Sequence, residues 1–358
     1  MKEAKVSPKP DGLGEEASPD HHHSMSDKRT YALTWDLGEK VQLFSALGLQ
    51  VPPPNAEIFI KIKDDLDKML LHVFGPSVHT FPRATRALAS QIVAKTTQRQ
   101  SELRSRAARD ALVVSTCPEI ANIREGIALS INRLIDEKGE ILGLGPRPGA
   151  PSISDQMDVV QRAAGNRSVI LMEDGAFTGG TMRFILNEMK ARRVHVSAVV
   201  LGLAFKNAKE SIAEVFDGDI VTVEEDKDYV DWMPDHDFFP FIPNSGRVFG
   251  TSWNGNLMPL YTKDGATFCA PYLLPFAPIT KWASIPENHA LDFSRFCLQK
   301  TREIFEKLCE DNDCMLTIED IIDTVPRVSI PMAIGQQIIP PLRTRILDYL
   351  KACIDEID

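Results

Sequence analysis

Glu173 and Asp174 stand side by side at the end of an apolar run, and Thr178-Gly179-Gly180-Thr181 follows after a short spacer. Glycines let a backbone close on an oxyanion, and a helix starting there would present free N–H groups and the positive end of its dipole. Two carboxylates beside such a cradle repel an anion unless they hold the hydroxyls of a phosphorylated sugar, with a hydrated Mg²⁺ offsetting nearby charge. The residues therefore point to a sugar phosphate rather than a bare nucleoside triphosphate. The competing reading is an ordinary acidic strand-to-helix turn with glycines for packing.

The elements around this stretch suit the chemistry. "SVILM" (168–172) is long enough to cross a sheet, and Met182, Ile185, Leu186 and Met189 repeat at helical spacing after the turn. Further apolar runs, "ALVVS" (111–115), "EILGLG" (140–145), "VHVSAVVLGL" (194–203) and "DIVTV" (219–223), read as buried strands. Ile127, Ile131, Leu134 and Ile135 suggest a helix between the first two. Strands alternating with helices predict an α/β fold: a mostly parallel sheet with helices on both faces, which binds ligands at the carboxyl ends of its strands.

"VILMEDGAFTGGT" resembles the phosphoribosyl-pyrophosphate (PRPP) motif of the type I phosphoribosyltransferases. The resemblance implies that Glu173 and Asp174 hold the ribose hydroxyls, and that the loop of Gly175, Ala176, Phe177, Thr178, Gly179, Gly180 and Thr181 wraps the 5-phosphate. It also implies a pyrophosphate loop after the first core strand. "DALVVSTCPEIANIREG" lies at a similar place, offering Ser115, Thr116, Cys117 and Arg124, with Cys117-Pro118 a candidate cis peptide; a plain connecting loop fits as well. Family members carry a mobile loop that closes over the reaction, and "GLGPRPGAPSISDQ" has the composition for it. Arg147 there joins Glu173 and Asp174 as a residue expected at the reaction centre, though a surface loop with a stray arginine is equally compatible.

A variable hood selects the acceptor in this family. "DFFPFIPNSGRVFG" is faintly similar to the hood of purine-salvage enzymes, which makes Phe238, Phe239 and Phe241 stacking candidates, although aromatics at such spacing also build cores. One departure stands out: hypoxanthine-guanine enzymes carry an acid where this chain has Phe177, so the resemblance does not extend to 6-oxopurines. The implied activity is Mg²⁺-dependent transfer of the phosphoribosyl group of PRPP to a nucleobase or related nitrogen nucleophile, with release of pyrophosphate. Mg²⁺ would be held mainly through the substrate, with Glu173 and Asp174 as the candidate protein ligands. The alternative is a non-catalytic member that senses PRPP or a nucleotide and signals to a partner. Dimers are common in the family, which makes a homodimer the expectation by analogy.

The rest of the chain bounds these expectations. Residues 1–30 have a composition that cannot repay its ordering entropy and read as a disordered tail, with His21-His22-His23 as a tag remnant or solvated stretch. Residues 31–109 read as an N-terminal helical segment, 110–260 as the core with its hood around 224–260, and 261–358 as a mainly helical extension that includes a cap-like Thr317-x-x-Asp320. Arg83 to Arg109 is the one basic segment. It lacks interleaved aromatics for base stacking, and the chain's net charge of -10 disfavours nucleic acid and anionic membranes. The six cysteines are scattered without metal spacing, and no apolar run approaches the roughly 20 residues of a membrane span, so a cytoplasmic protein is expected.

Overall fold

The computed structural model describes residues 29–106, 110–117, 126–226, 229–253, 255–336 and 339–358. The chain opens with β1 (Arg29–Trp35), α1 (Leu37–Val41), α2 (Glu57–Phe74), β2 (Val78–Ala84) and α3 (Thr85–Arg106). There follow β3 (Leu112–Ser115), β4 (Ile127–Ala128), β5 (Ile131–Ile135), β6 (Ile141–Pro146), α4 (Ile153–Ala164), β7 (Val169–Ala176), α5 (Gly180–Ala191), β8 (Val196–Phe205), α6 (Lys206–Ala213) and β9 (Asp219–Asp226). The last part holds β10 (Tyr229–Pro234), β11 (Arg247–Trp253), β12 (Asn256–Pro259), β13 (Phe268–Ala270), α7 (Ile279–Trp282), α8 (Glu287–Asn312), α9 (Ile318–Ile321), β14 (Ile330–Pro331) and α10 (Ile346–Ile357).

These elements form an α/β fold with mostly parallel sheets. The five-stranded sheet runs β4-β3-β7-β8-β9 and is parallel throughout. Its strands are apolar along their length because both faces are covered. On β7, Val169 and Leu171 pack toward α4, α5 and α6, while Ile170 and Met172 pack toward Leu88 and Ile92 of α3. The strand order steps from β3 outward to β4 and then back across to β7, so the β3–β7 boundary is the switch point where an open parallel sheet leaves a crevice.

A second parallel sheet, β10-β1-β2, places β1 between strands from distant parts of the chain. A third, mixed sheet runs β14-β13-β11-β5-β6, with β12 paired to β11. The largest core cluster lies around α2, α8 and α10 and the aromatic run at 238–242. The capping box at Thr317 and Asp320 is formed. Among the described residues, no helix is long and apolar enough to cross a membrane.

Three expectations are corrected here. Residues 29–35 form a strand, so the N-terminal segment is not wholly helical, and residues 1–28 of the expected tail lie outside the described residues. Ile127, Ile131, Leu134 and Ile135 do not share a helix: β4 joins the five-stranded sheet and β5 joins the mixed one. Their helix-like spacing arises because the chain changes sheets at Leu129 and Ser130. The stretch 143–156 is not a free loop, and its last residues already belong to α4. It begins within β6, which pairs antiparallel with β5, Gly149 N donates to the Tyr261 hydroxyl (3.0 Å), and Ser152 caps α4.

The basic segment is largely α3. Arg86 pairs with Glu39, Arg99 with Glu102 and Asp219, and Arg104 with Asp110, so several of its cations are matched within the protein.

Candidate functional site

β7 remains a strand through Ala176, with Glu173 opposite Leu201 and Gly175 opposite Leu203 on β8. At the strand's end Glu173 and Asp174 both line one cavity of about 440 Å³, with their carboxyls close enough to interact. Close backbone approach makes this possible. A Cβ on Gly202 would sit 2.3 Å from the Asp174 carbonyl oxygen, and one on Gly175 would sit 2.6 Å from the Trp232 ring.

The turn after β7 has the geometry of an anion cradle. Gly179 adopts φ 75° as the N-cap of α5, and a Cβ there would also meet the Ala208 carbonyl at 2.8 Å. The first intrahelical bond at this end is Arg183 N to Gly179 O (2.9 Å), which leaves the earlier N–H groups of α5 outside the helix ladder. Thr178 and Gly180 are exposed, Gly179, Gly180 and Thr181 line the cavity, and the Thr178 hydroxyl accepts weakly from Gly180 N (3.4 Å). Gly175, Ala176 and Phe177 line it as well, and the Phe177 ring meets Phe205 edge-on at 4.3 Å.

Across the switch point, Thr116 follows β3 and donates through both its N–H (2.9 Å) and its hydroxyl (3.0 Å) to Met172 O. Thr116 and Cys117 reach the cavity. Ser115 does not: its buried hydroxyl accepts from Cys117 N (3.2 Å), which spends it inside the turn and corrects its assignment to the ligand loop. Arg124 and the Cys117-Pro118 bond lie outside the described residues. Arg147 lines the cavity from the end of β6, held by its N–H to Ser130 O (3.0 Å) and its Nε to Ile131 O (3.2 Å).

Electrostatics single out Glu173. Burial above all, and then the adjacent Asp174 carboxylate, push its pKa well above the ordinary carboxylate value, against smaller opposing pulls from Thr116 and Arg147. A neutral Glu173 beside Asp174 can donate as well as accept, which suits a pair of sugar hydroxyls.

The aromatic candidates are corrected. Phe238, Phe239 and Phe241 are each 0% exposed and do not line the cavity. Phe238 meets Phe293 of α8 at 5.0 Å and Phe241 meets Tyr349 of α10 at 5.2 Å, so these rings are core. The aromatics that do line the cavity are Phe177, Trp232, Tyr272 and Trp282. Arg247 lies over Trp282 (4.1 Å to the ring centroid) and donates through Nε to the Tyr272 hydroxyl (3.0 Å).

The wall facing the motif comes from the second parallel sheet, and sequence reasoning missed it. Asp36 follows β1 and His236 follows β10, adjacent parallel strands, and His236 Nδ1 lies 2.5 Å from Asp36 Oδ1. Asp235 accepts from the backbone N–H groups of Asp36 (2.9 Å) and Leu37 (3.1 Å), tying the two strand ends together. Burial raises the Asp36 pKa, but His236 and Lys40 outweigh it and hold that carboxyl below the ordinary range; Asp235 is raised, by burial first and by Asp36 second. Asp231, also on this wall, is raised by burial against a hydrogen bond from the Ser284 hydroxyl (2.8 Å). No signal in the local sequence joins residues 36 and 236; only the strand pairing does.

Three buried polar atoms on cavity-lining residues lack a hydrogen-bond partner: Glu173 Oε2, Trp232 Nε1 and Asn244 Nδ2. Such groups are costly unless something satisfies them, which makes this cavity a candidate ligand site. No family model matches the chain, and no curated protein matches it either. The functional argument therefore rests on the residues themselves.

Proposed function

We propose that the protein is a Mg²⁺-dependent phosphoribosyltransferase that moves the phosphoribosyl group of PRPP to a nucleobase-like nitrogen nucleophile and releases pyrophosphate. One observation carries the reading: the paired acids with the glycine loop that follows them, Thr116 and Arg147 come from three separate segments and converge on one cavity at the β3–β7 switch point.

In this reading Glu173 and Asp174 hold the ribose hydroxyls, and the 178–181 turn takes the 5-phosphate on backbone N–H groups. Cys117 and Arg147 face the pyrophosphate, and Thr116, whose N–H and hydroxyl both donate to Met172 O, fixes the turn that carries Cys117. The hard oxygen donors fit Mg²⁺; burial and Asp174 disfavour the charged form of Glu173, so in this reading Glu173 acts on the sugar and the ion is held mainly through substrate oxygens. Bound Mg²⁺ supplies charge neutralisation on the departing pyrophosphate. The protein's part is placement of the two reactants, stabilisation of the leaving charge and exclusion of water from an electron-poor sugar carbon.

The test is release of labelled pyrophosphate from PRPP and Mg²⁺ across a panel of free bases. Turnover on at least one base is the expected result. Tight PRPP binding with turnover on none would replace the transferase by a sensor, and absence of PRPP binding would end both readings.

A further inference from the structure

The phosphoribosyl-transfer reading occupies the motif side of the cavity and leaves the opposite wall without a task. That wall begins at Trp232, whose ring lies against Gly175 just past the two acids, and continues along the same strand end to His236. His236 and Asp36 are both buried, at 7% and 5% exposure, and both line the cavity. With Nδ1 at 2.5 Å from Asp36 Oδ1, a neutral imidazole carries its proton toward that carboxylate and keeps Nε2 as its basic nitrogen. Nε2 lies 3.9 Å from Asp237 Oδ1, beyond hydrogen-bonding distance. Asp36 is fixed in turn by Lys40 (3.7 Å) and by the Asp235 bridge between the strand ends.

We propose that His236 is the general base of the reaction, that Asp36 is its positioning residue, and that the acceptor is therefore a nitrogen that must shed a proton as it attacks. The inference rests on the phosphoribosyl-transfer reading. The nitrogen lone pair forms the bond to ribose C1, and the C1–O bond to pyrophosphate breaks with its electron pair leaving on pyrophosphate. The proton of the attacking N–H passes to His236 Nε2, and the resulting imidazolium is neutralised by Asp36. The other charged groups facing His236 are Asp237 on its own turn, Lys40 and Asp235 behind Asp36, and Arg247 beyond Asp237. The rival role is structural, an imidazolium locked between two carboxylates to staple β1 to β10.

The experiment measures pyrophosphate release from PRPP and Mg²⁺ with adenine, hypoxanthine, uracil and orotate, alongside calorimetric PRPP binding; nicotinate, whose ring nitrogen has no proton to lose, should be inert, and its turnover alone would overturn the proposal. The wild-type rate should fall on the acid side of its pH profile, since a general base is inactive once protonated. His236→Gln should lower turnover by about 100-fold or more and remove that acid limb. Its PRPP affinity should stay within about 3-fold of wild type, and added imidazole should restore part of the rate to His236→Ala. Asp36→Asn should lower turnover less than His236→Gln.

Turnover of His236→Gln within about 3-fold of wild type overturns the proposal. So does a flat wild-type profile, which decides the matter even when the variants do not fold. Wild type that binds PRPP but turns over none of the bases also overturns it, since a base has no work in a non-catalytic site. Wild type that does not bind PRPP removes the underlying reading before any variant is made.

Discussion

The Trp232 ring lies so close over Gly175 that a single added carbon would stand 2.6 Å from it. This contact joins the strand carrying the paired acids to the strand that leads into His236, so the two walls of the cavity meet at one glycine. Gly175→Ala must displace an indole or bend β7. We expect a loss of about 1–3 kcal/mol in stability, typical of an overpacked site. A fall of about tenfold in PRPP affinity should accompany it. Chemical denaturation and calorimetry read the two effects separately, and unchanged affinity in the folded variant would contradict the assignment of this wall.

Asp174→Asn tests the sugar-binding role. The carboxylate lines the cavity, so its loss should weaken PRPP binding by about tenfold or more, the scale of a charged hydrogen bond, with little effect on melting temperature. An unchanged titration in a well-folded variant would remove the acids from the ligand site.

Glu173 makes a prediction with a definite sign. Its folded-state pKa is raised above the unfolded value, so its contribution to stability is complete below the unfolded pKa and is lost as pH rises through the folded one. Glu173→Gln cannot ionise. In the absence of ligand it should match wild type in acid and exceed it in melting temperature once pH passes the folded pKa. A variant equally or less stable at every pH would show that burial of this carboxyl is not under strain.

Phe241→Ala separates core from site. The ring is fully buried between α8 and α10, and its removal should cost about 3–5 kcal/mol. PRPP titration at a temperature where the variant remains folded should be unchanged. A selective loss of binding would return this residue to the ligand pocket.

What could be read in the sequence follows from how local each signal is. β7, its turn and α5 are contiguous, so apolar run, acids, glycines and helix spacing sit within one window and the structure places them together. The strands 112–115, 196–205 and 219–226 were legible as apolar runs for the same reason. β1 was not, because Tyr31 and Leu33 pack into the core around α2 and α8 while Ala32 packs against α3 and the five-stranded sheet, and no alternation marks a strand covered on both faces. The spacing at Ile127–Ile135 mimicked a helix while serving two sheets. The aromatic run at 238–241 carried composition but no direction: whether a phenylalanine faces ligand or core is decided by α8 and α10, which the local sequence does not contain.

The pairing of β1 with β10 sets an order of assembly. Thr34 meets Pro234 only after nearly two hundred intervening residues have left the ribosome, whereas β7, α5 and β8 are near neighbours in sequence and can fold as they emerge. The nascent chain thus acquires the 173–181 turn early and the Asp36–His236 wall late. A synthesis halted before residue 229 would yield a half-site, able to meet a ligand but missing the face that finishes the chamber.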